Sequence, residues 1–305
     1  MPRKEQHEKE EQLVDVEGRT LKISNLGKVL YPRTGTTKGE VLSYYARIAP
    51  VMLPHLADRA VTRIRWPHGV EDMSFFEKNI PGGTPSWVHT VTVPTTGSRT
   101  ASKEEGTLTF PIVDDLATLT WLVNLAALEL HVHQWTVGRN GRPRNADRLV
   151  IDLDPGEPAG LHECCQVALL VSDALEEHDL VAKPVTSGSK GLHLYADLPK
   201  RLPSEQSTAL AKQVAEALEK AHPQLVTATM TKAKRPGKVF LDWSQNSGSK
   251  TTISPYSLRG KERPYVATPL GWDEVEAGAE DPDGLEQFLF SQVLTRVEEY
   301  GDLFE

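Results

Sequence analysis

Apolar and polar positions alternate over residues 13–23 on either side of Glu17-Gly18, the pattern of a β-hairpin. The period then lengthens. Thr37 stands three residues before Glu40, a capping-box spacing, and Val41, Tyr44, Tyr45 and Ile48 recur at helical intervals, which predicts a helix up to Pro50. Apolar runs at 60–66, 87–93 and 107–113 predict strands, and Asp114 reads as the cap of a helix reaching about Leu130. Strands are expected at 149–153, 182–186, 192–196, 239–243 and 251–257. The intervening helices are expected at 162–178, at 204–221 with Ser204 as its cap, and at 285–300. The Pro/Gly stretches at 80–85, 138–143 and 278–284 are only loop-length, and there is no internal repeat. The expected architecture is a mixed α/β (α+β) protein: a disordered tail over 1–12, then one domain over 13–305 whose two α/β halves share a cleft.

Composition narrows the class. In 305 residues, 39% hydrophobic and 25% charged content suits a globular chain with a sizeable core and excludes disordered or collagen-like classes. The longest apolar stretch, near 116–130, is broken by Asn124 and Glu129, so no membrane span is expected, and the polar N-terminus carries no signal peptide. With Cys164 and Cys165 adjacent, two reduced thiols on a helix are expected, and the location reads as cytoplasmic. The net charge of −8 argues at first against a nucleic-acid partner. Its distribution reverses that: eight Lys/Arg against Asp242 and Glu262 over 231–263, then eleven Asp/Glu against Arg296 from 264 onward. Such segregation suits either an anionic ligand on one face or a solvated basic loop balanced by an acidic tail.

The strongest candidate chemistry is Val150-Ile151-Asp152-Leu153-Asp154-Pro155-Gly156. Residues i and i+2 of a strand share a side, so Asp152 and Asp154 project together, and two such carboxylates repel unless a cation lies between them. Hard oxygen donors suit Mg²⁺ or Mn²⁺ alongside substrate phosphates; the alternative is a solvated turn with Asp154 capping the next helix. Asp242 is one acid inside the apolar run Val239-Phe240-Leu241, either turned to the same cation, as a two-metal clamp would need, or ion-paired with Lys238 or Arg235.

The run Thr186-Ser187-Gly188-Ser189-Lys190-Gly191 offers amides, hydroxyls and one charge for a phosphate, or it is a plain hairpin turn without Walker spacing. His193 is a donor beside a polyphosphate or a core histidine. Consecutive Phe75 and Phe76 face opposite sides of an extended segment, so they form either a platform for stacking bases or one core ring and one surface ring. Lys28 and Lys38 read as ordinary surface lysines or phosphate contacts.

In combination, LVIDLDPG, PVTSGSKGLHLY, TATMTKAKRPGKVFLDWSQNSGSKTTISPYSLRG and the closing VLTR resemble the polymerase domain of bacterial DNA ligase D, a branch of the archaeo-eukaryotic primase superfamily. The resemblance covers Asn25 to Glu305. It implies a primase-type catalytic core of two packed α/β modules and template-directed nucleotide addition to a primer end. It implies metal binding by Asp152, Asp154 and Asp242, with two ions, Mn²⁺ preferred over Mg²⁺. Contacts to the nucleoside triphosphate substrate fall on Ser187, Lys190, His193, Arg235, Gln245 and Arg259. A histidine that favours ribonucleotides through the 2′-hydroxyl falls on His131, a template-stacking pair on Phe75 and Phe76, and a grip on a downstream 5′-phosphate on Lys28 and Lys38. The implied role is gap filling and end tailoring in non-homologous end joining, on gapped or broken DNA, with Ku and a ligase activity as partners. The 305 residues themselves are not expected to contain a ligase or nuclease module. Two rival functions are a metal-dependent phosphodiesterase or nuclease using the same acids, and a non-catalytic DNA-end binding module.

Overall fold

A computed structural model describes residues 11–94 and 106–305. Most of the expected tail therefore lies outside the described residues; its last two positions, Glu11 and Gln12, pair with Ser24 and Ile23. They open the hairpin of β1 (Glu11–Val16) and β2 (Arg19–Ser24), which turns at Glu17 and Gly18, both at positive φ. The short pair β3 (Val29–Tyr31) and β4 (Thr36–Thr37) leads into α1 (Lys38–Leu56), entered through the expected capping box of Thr37 and Glu40. This helix continues past Pro50 and Pro54 because Ile48, Ala49, Met52 and Leu56 keep burying one face.

Next come β5 (Val61–Arg65), β6 (Phe75–Glu77), β7 (Thr90–Pro94), β8 (Thr107–Pro111), α2 (Leu116–Asn124) and β9 (Ala127–Val132). Here the sequence reading is corrected. The cap is Asp115, which accepts the Thr118 amide at 2.7 Å, and the helix stops six residues short of Leu130, turning through Ala126 at φ 61. Pairing with β5 captures the following segment as a strand, because Leu128, Leu130 and Val132 alternate with Glu129 and His131.

The second half comprises β10 (Trp135–Val137), β11 (Pro143–Pro155), α3 (Leu161–Glu176), β12 (Ala182–Thr186), β13 (Leu192–Leu202), α4 (Ser204–Ala221), β14 (Val226–Thr227), β15 (Val239–Asp242), β16 (Thr252–Ile253), α5 (Trp272–Glu280) and α6 (Phe290–Tyr300). Several boundaries differ from expectation: β11 begins six residues before 149 and β13 runs on to Leu202 rather than 196. Pro203, not Ser204, occupies the cap position of α4. The strand expected over 251–257 is only Thr252–Ile253. The last helix starts at Phe290, since Phe288 and Leu289 run extended against Tyr265 and Val266 and Leu285 is buried. The helix α5 was not expected; Gly278 there lies against Cys165, and both cysteines are free and buried in α3.

Two sheets carry the site. The larger runs β12-β13-β11-β15-β14, with β10 also on β11; the smaller runs β16-β9-β5-β6. Ile151, Leu153, Leu192, Leu194, Val239 and Leu241 line one face of the larger sheet and pack with Val167, Val171, Val214 and Leu218 of α3 and α4. Burying each such aliphatic side chain contributes about 1.5–3 kcal/mol, which fixes which face the alternate residues must take. Those alternates are Val150, Asp152, Asp154, His193, Tyr195 and Asp242. The smaller sheet repeats the arrangement: Leu128, Leu130 and Val132 pack with α1 and α2, leaving Glu129 and His131 on the other face. The Tyr195 hydroxyl joins the two sheets by donating to the Ile253 carbonyl at 3.0 Å. Among the described residues, no helix is long and apolar enough to cross a membrane.

Candidate active site

Antiparallel register assembles the acids. Asp152 is the direct partner of His193 on one side and of Asp242 on the other, while Asp154 lies two residues along the same strand. Directly paired antiparallel residues have Cα atoms roughly 4.5–5.5 Å apart and side chains on one face. The residue from far down the chain therefore stands beside the other two. His193 Nε2 lies 3.3 Å from Asp152 Oδ1. Asp242 accepts the Ser244 amide at 3.0 Å, the Ser244 hydroxyl, and the Gln245 amide at 3.0 Å, and Lys250 Nζ stands 3.8 Å away. The Lys238 and Arg235 pairing considered for Asp242 does not form: Lys238 donates to the Pro223 carbonyl and Arg235 to that of Met230.

Asp154 has no hydrogen-bond or ion-pair partner among the described residues, and it caps no helix, since α3 begins at the Gly160 cap. Its rim reaches solvent, but enclosure by protein, and then the charge of Asp152, push its carboxyl up to about 6. Among the described residues, no three His, Cys, Asp or Glu side chains are already set around a common metal position. The donors nevertheless suit a hard divalent ion: three carboxylates share a face, and burial and the Asp152 charge raise one of them despite the opposing charges of His193 and Arg235.

The glycines of two flanking turns bring up basic groups. A Cβ on Gly156 would lie 2.2 Å from the Arg235 carbonyl oxygen, so glycine there lets the 232–238 segment close on the end of β11. Arg235 stacks over Phe240, the register partner of Asp154, at 3.6 Å. Gly188, at φ +64, sits against the Arg259 side chain, where a Cβ would come within 2.6 Å of Cγ. Ser187 Oγ organises the same turn by accepting the Ser189 and Gly191 amides, each at 3.2 Å. Lys190 points outward in an exposed pair with Glu157 at 2.9 Å, and Gln245 serves Asp242.

On the smaller sheet, His131 Nε2 meets Glu129 Oε2 at 2.8 Å, and Glu129 Oε1 accepts the Gly260 amide at 2.9 Å with Arg259 Nε at 3.5 Å. Burial alone would raise the Glu129 carboxyl; the His131 hydrogen bond and the Arg259 charge, with the Gly260 amide, hold it at about 2 instead.

Phe75 and Phe76, 42% and 52% exposed on the edge strand β6, are both outside the core. Their register partners are Arg65 and Ile64, and Ile64 also faces Glu129, so Phe76 shares the Glu129–His131 face and Phe75 takes the other. Lys28 and Lys38 form a separate cluster at the start of α1. The surface-lysine reading fails for Lys38, which is 4% exposed and donates to the Ser24 carbonyl at 2.6 Å and to Asn124 Oδ1 at 2.7 Å. Burial, and then the neighbouring Lys28 charge, lower its amine to about 8.

Residues 37–304 match the family described as the LigD primase-polymerase domain. The chain belongs to that family. The multifunctional end-joining LigD proteins of Mycolicibacterium smegmatis and Mycobacterium tuberculosis are 48% and 50% identical over 93% of the chain. The chain spans only 35% and 36% of their lengths. The polymerase domain of M. tuberculosis ligase D, solved in complex with DNA, superposes with a TM-score of 0.85 at 49% identity, covering 92% of this chain and 95% of that one. The primase-type fold expected from the motifs is thus the fold found.

Within this primase-polymerase domain, sequence reading missed Glu129, Lys250 and Ser244 as site neighbours. Glu129 stands two before His131, a visible signal had the segment been read as a strand. Lys250 and Ser244 follow only from the turn after β15, which no periodicity announces.

Proposed function

We propose that this chain is a DNA-dependent nucleotidyltransferase that extends primer ends, fills short gaps and tailors broken ends during non-homologous end joining, preferring ribonucleotides. The observation that carries the proposal is the register that sets His193, Asp152 and Asp242 in one row with Asp154 beside them. Family membership and the likeness to a domain solved with DNA support it.

Asp152, Asp154 and Asp242 would hold two divalent ions, Mn²⁺ or Mg²⁺. When bound, such ions acidify a primer 3′-hydroxyl and offset charge on departing pyrophosphate. The chain's own groups do the rest. Ser244, Gln245 and Lys250 fix the Asp242 carboxylate, and the Ser187–Gly191 turn and Arg259, packed together through Gly188, receive the triphosphate with His193 and Lys190. Arg235, resting on Phe240 over the Asp154 strand, adds positive charge where the phosphate chain would lie. His131 reads the sugar 2′-hydroxyl, Phe76 and Phe75 stack on template bases, and Lys28 and Lys38 grip a downstream 5′-phosphate. The proposed setting is cytoplasmic and nucleoid-associated, with Ku and a ligase activity acting on the same ends.

Primer extension on gapped DNA, run with each nucleotide type and each ion, tests this. Longer products with nucleotide and Mn²⁺ are expected. Shortening without nucleotide would instead establish a nuclease, and binding without extension under every condition would leave a DNA-end binding module.

A further inference from the structure

Glu129 is the one buried carboxylate on the smaller sheet's free face, and its two oxygens have different tasks. Oε1 faces the Gly260 amide and Arg259 Nε, and Oε2 faces His131 Nε2. The loop that brings Gly260 there is pinned, because a Cβ on Gly260 would lie 2.2 Å from the Trp66 ring. Held at about 2, Glu129 is ionised throughout the working pH range and can only accept hydrogen bonds. An acceptor 2.8 Å from Nε2 requires the proton to be on Nε2. In a neutral imidazole the other nitrogen is then a bare lone pair, and Nδ1 has no partner among the described residues.

We propose that Glu129 is a positioning residue that locks His131 in the Nε2–H tautomer, so that Nδ1 is presented as an acceptor for a nucleotide 2′-hydroxyl. The inference rests on the functional reading in which His131 faces the sugar, and it gives that reading a source of discrimination. A ribonucleotide donates its hydroxyl proton to Nδ1, whereas a deoxyribonucleotide leaves an acceptor unpaired in an enclosed site. Sites built to pair a hydroxyl reject the analogue lacking it for this reason. Because the same carboxylate touches Arg259, the sugar reader and a triphosphate contact are set by one rigid element.

In Glu129→Leu, no acceptor remains for His131 Nε2, so nothing holds the proton on that nitrogen. The ratio of kcat/KM for ribonucleotide over deoxyribonucleotide is expected to fall at least fivefold, toward that of His131→Ala. An unchanged ratio, including a parallel loss on both nucleotides, overturns the proposal. Nitrogen-15 spectra of wild-type imidazoles, with His131 assigned through His131→Gln, give a second reading that needs no variant at position 129 to fold. A protonated Nε2 with a bare Nδ1 is expected, and the opposite tautomer overturns the proposal. If wild type shows no ribonucleotide preference, the sugar-reading role itself fails, while the spectrum still decides whether Glu129 holds the tautomer.

Discussion

Asp154 and Glu129 are both acids on strands, each on the face of its sheet that the helices leave free, yet the protein treats them oppositely. Glu129 is buried and fully partnered, and its carboxyl is held at about 2. Asp154 reaches solvent and its carboxylate has no hydrogen-bond or ion-pair partner among the described residues, so burial and the Asp152 charge outweigh His193 and Arg235 and push it up to about 6. Burial does not set the difference, since the more buried group is the more acidic one. Partners set it. An acid whose charge is already answered by His131, Arg259 and an amide is finished structure; an acid left without a hydrogen-bond or ion-pair partner is the one to which the proposed cation is assigned.

The largest effect that could break this contrast is catalytic. Asp154→Asn or Asp242→Ala is expected to reduce primer extension by about 10³-fold or more while leaving DNA binding largely intact. Stability should move the other way at Asp154. A carboxyl whose folded pKa is raised favours folding most below its unfolded value near 4, and that contribution is lost as pH rises through about 6. Without metal at pH 7.5, Asp154→Asn should therefore melt above wild type, and adding Mn²⁺ should raise wild type more than the variant. A variant that melts lower without metal would show that the carboxylate is already compensated.

Glu129 should give the opposite sign. Its folded pKa lies below the unfolded value, so it contributes stability that is fully present above about pH 4.5 and lost as pH falls toward 2. Glu129→Gln is expected to cost on the order of 2 kcal/mol at pH 7, read by urea unfolding, with the gap to wild type closing between pH 5 and pH 2. A constant gap across that range would assign the loss to packing rather than charge.

These two acids also mark how far the sequence could be read. The shared face of Asp152 and Asp154 was legible from their two-residue spacing on an apolar strand, and the need of Asp242 for a partner from its isolation among Val239, Phe240 and Leu241; register, with Gly160 as the α3 cap and Lys238 and Arg235 turned to carbonyls, removed the alternatives. Strands and helices from 149 to 221 were legible for the same reason: Leu, Val and Ile at one period leave little choice. Glu129 was hidden because 116–130 fits a helical period nearly as well as a strand, and only pairing of β9 with β5 decides it. The burial of Lys38 was not legible because nothing local reports that Asn124, 86 positions later, would enclose it.

Lys38 extends the comparison to the opposite charge, with the smallest expected effect. Like Asp154, it is pushed toward neutrality by burial and a like-charged neighbour, with its amine lowered to about 8 rather than the usual ~10.4. Like Asp154, it is then ready for an outside counter-charge, here the proposed 5′-phosphate. Phosphate binding favours the protonated amine, so the preference should be nearly complete at pH 7 and fade as pH rises through about 8, several-fold by pH 9.5. The phosphate stays dianionic over that interval, so the change belongs to the protein. Measuring affinity for gapped DNA with a 5′-phosphate against a 5′-hydroxyl from pH 7 to 10 checks this, and Lys38→Met should flatten the profile. A wild-type preference that persists undiminished to pH 10 would mean that an ordinary exposed lysine makes the contact, and Lys38 would then belong with Glu129, as a charge the fold has already answered.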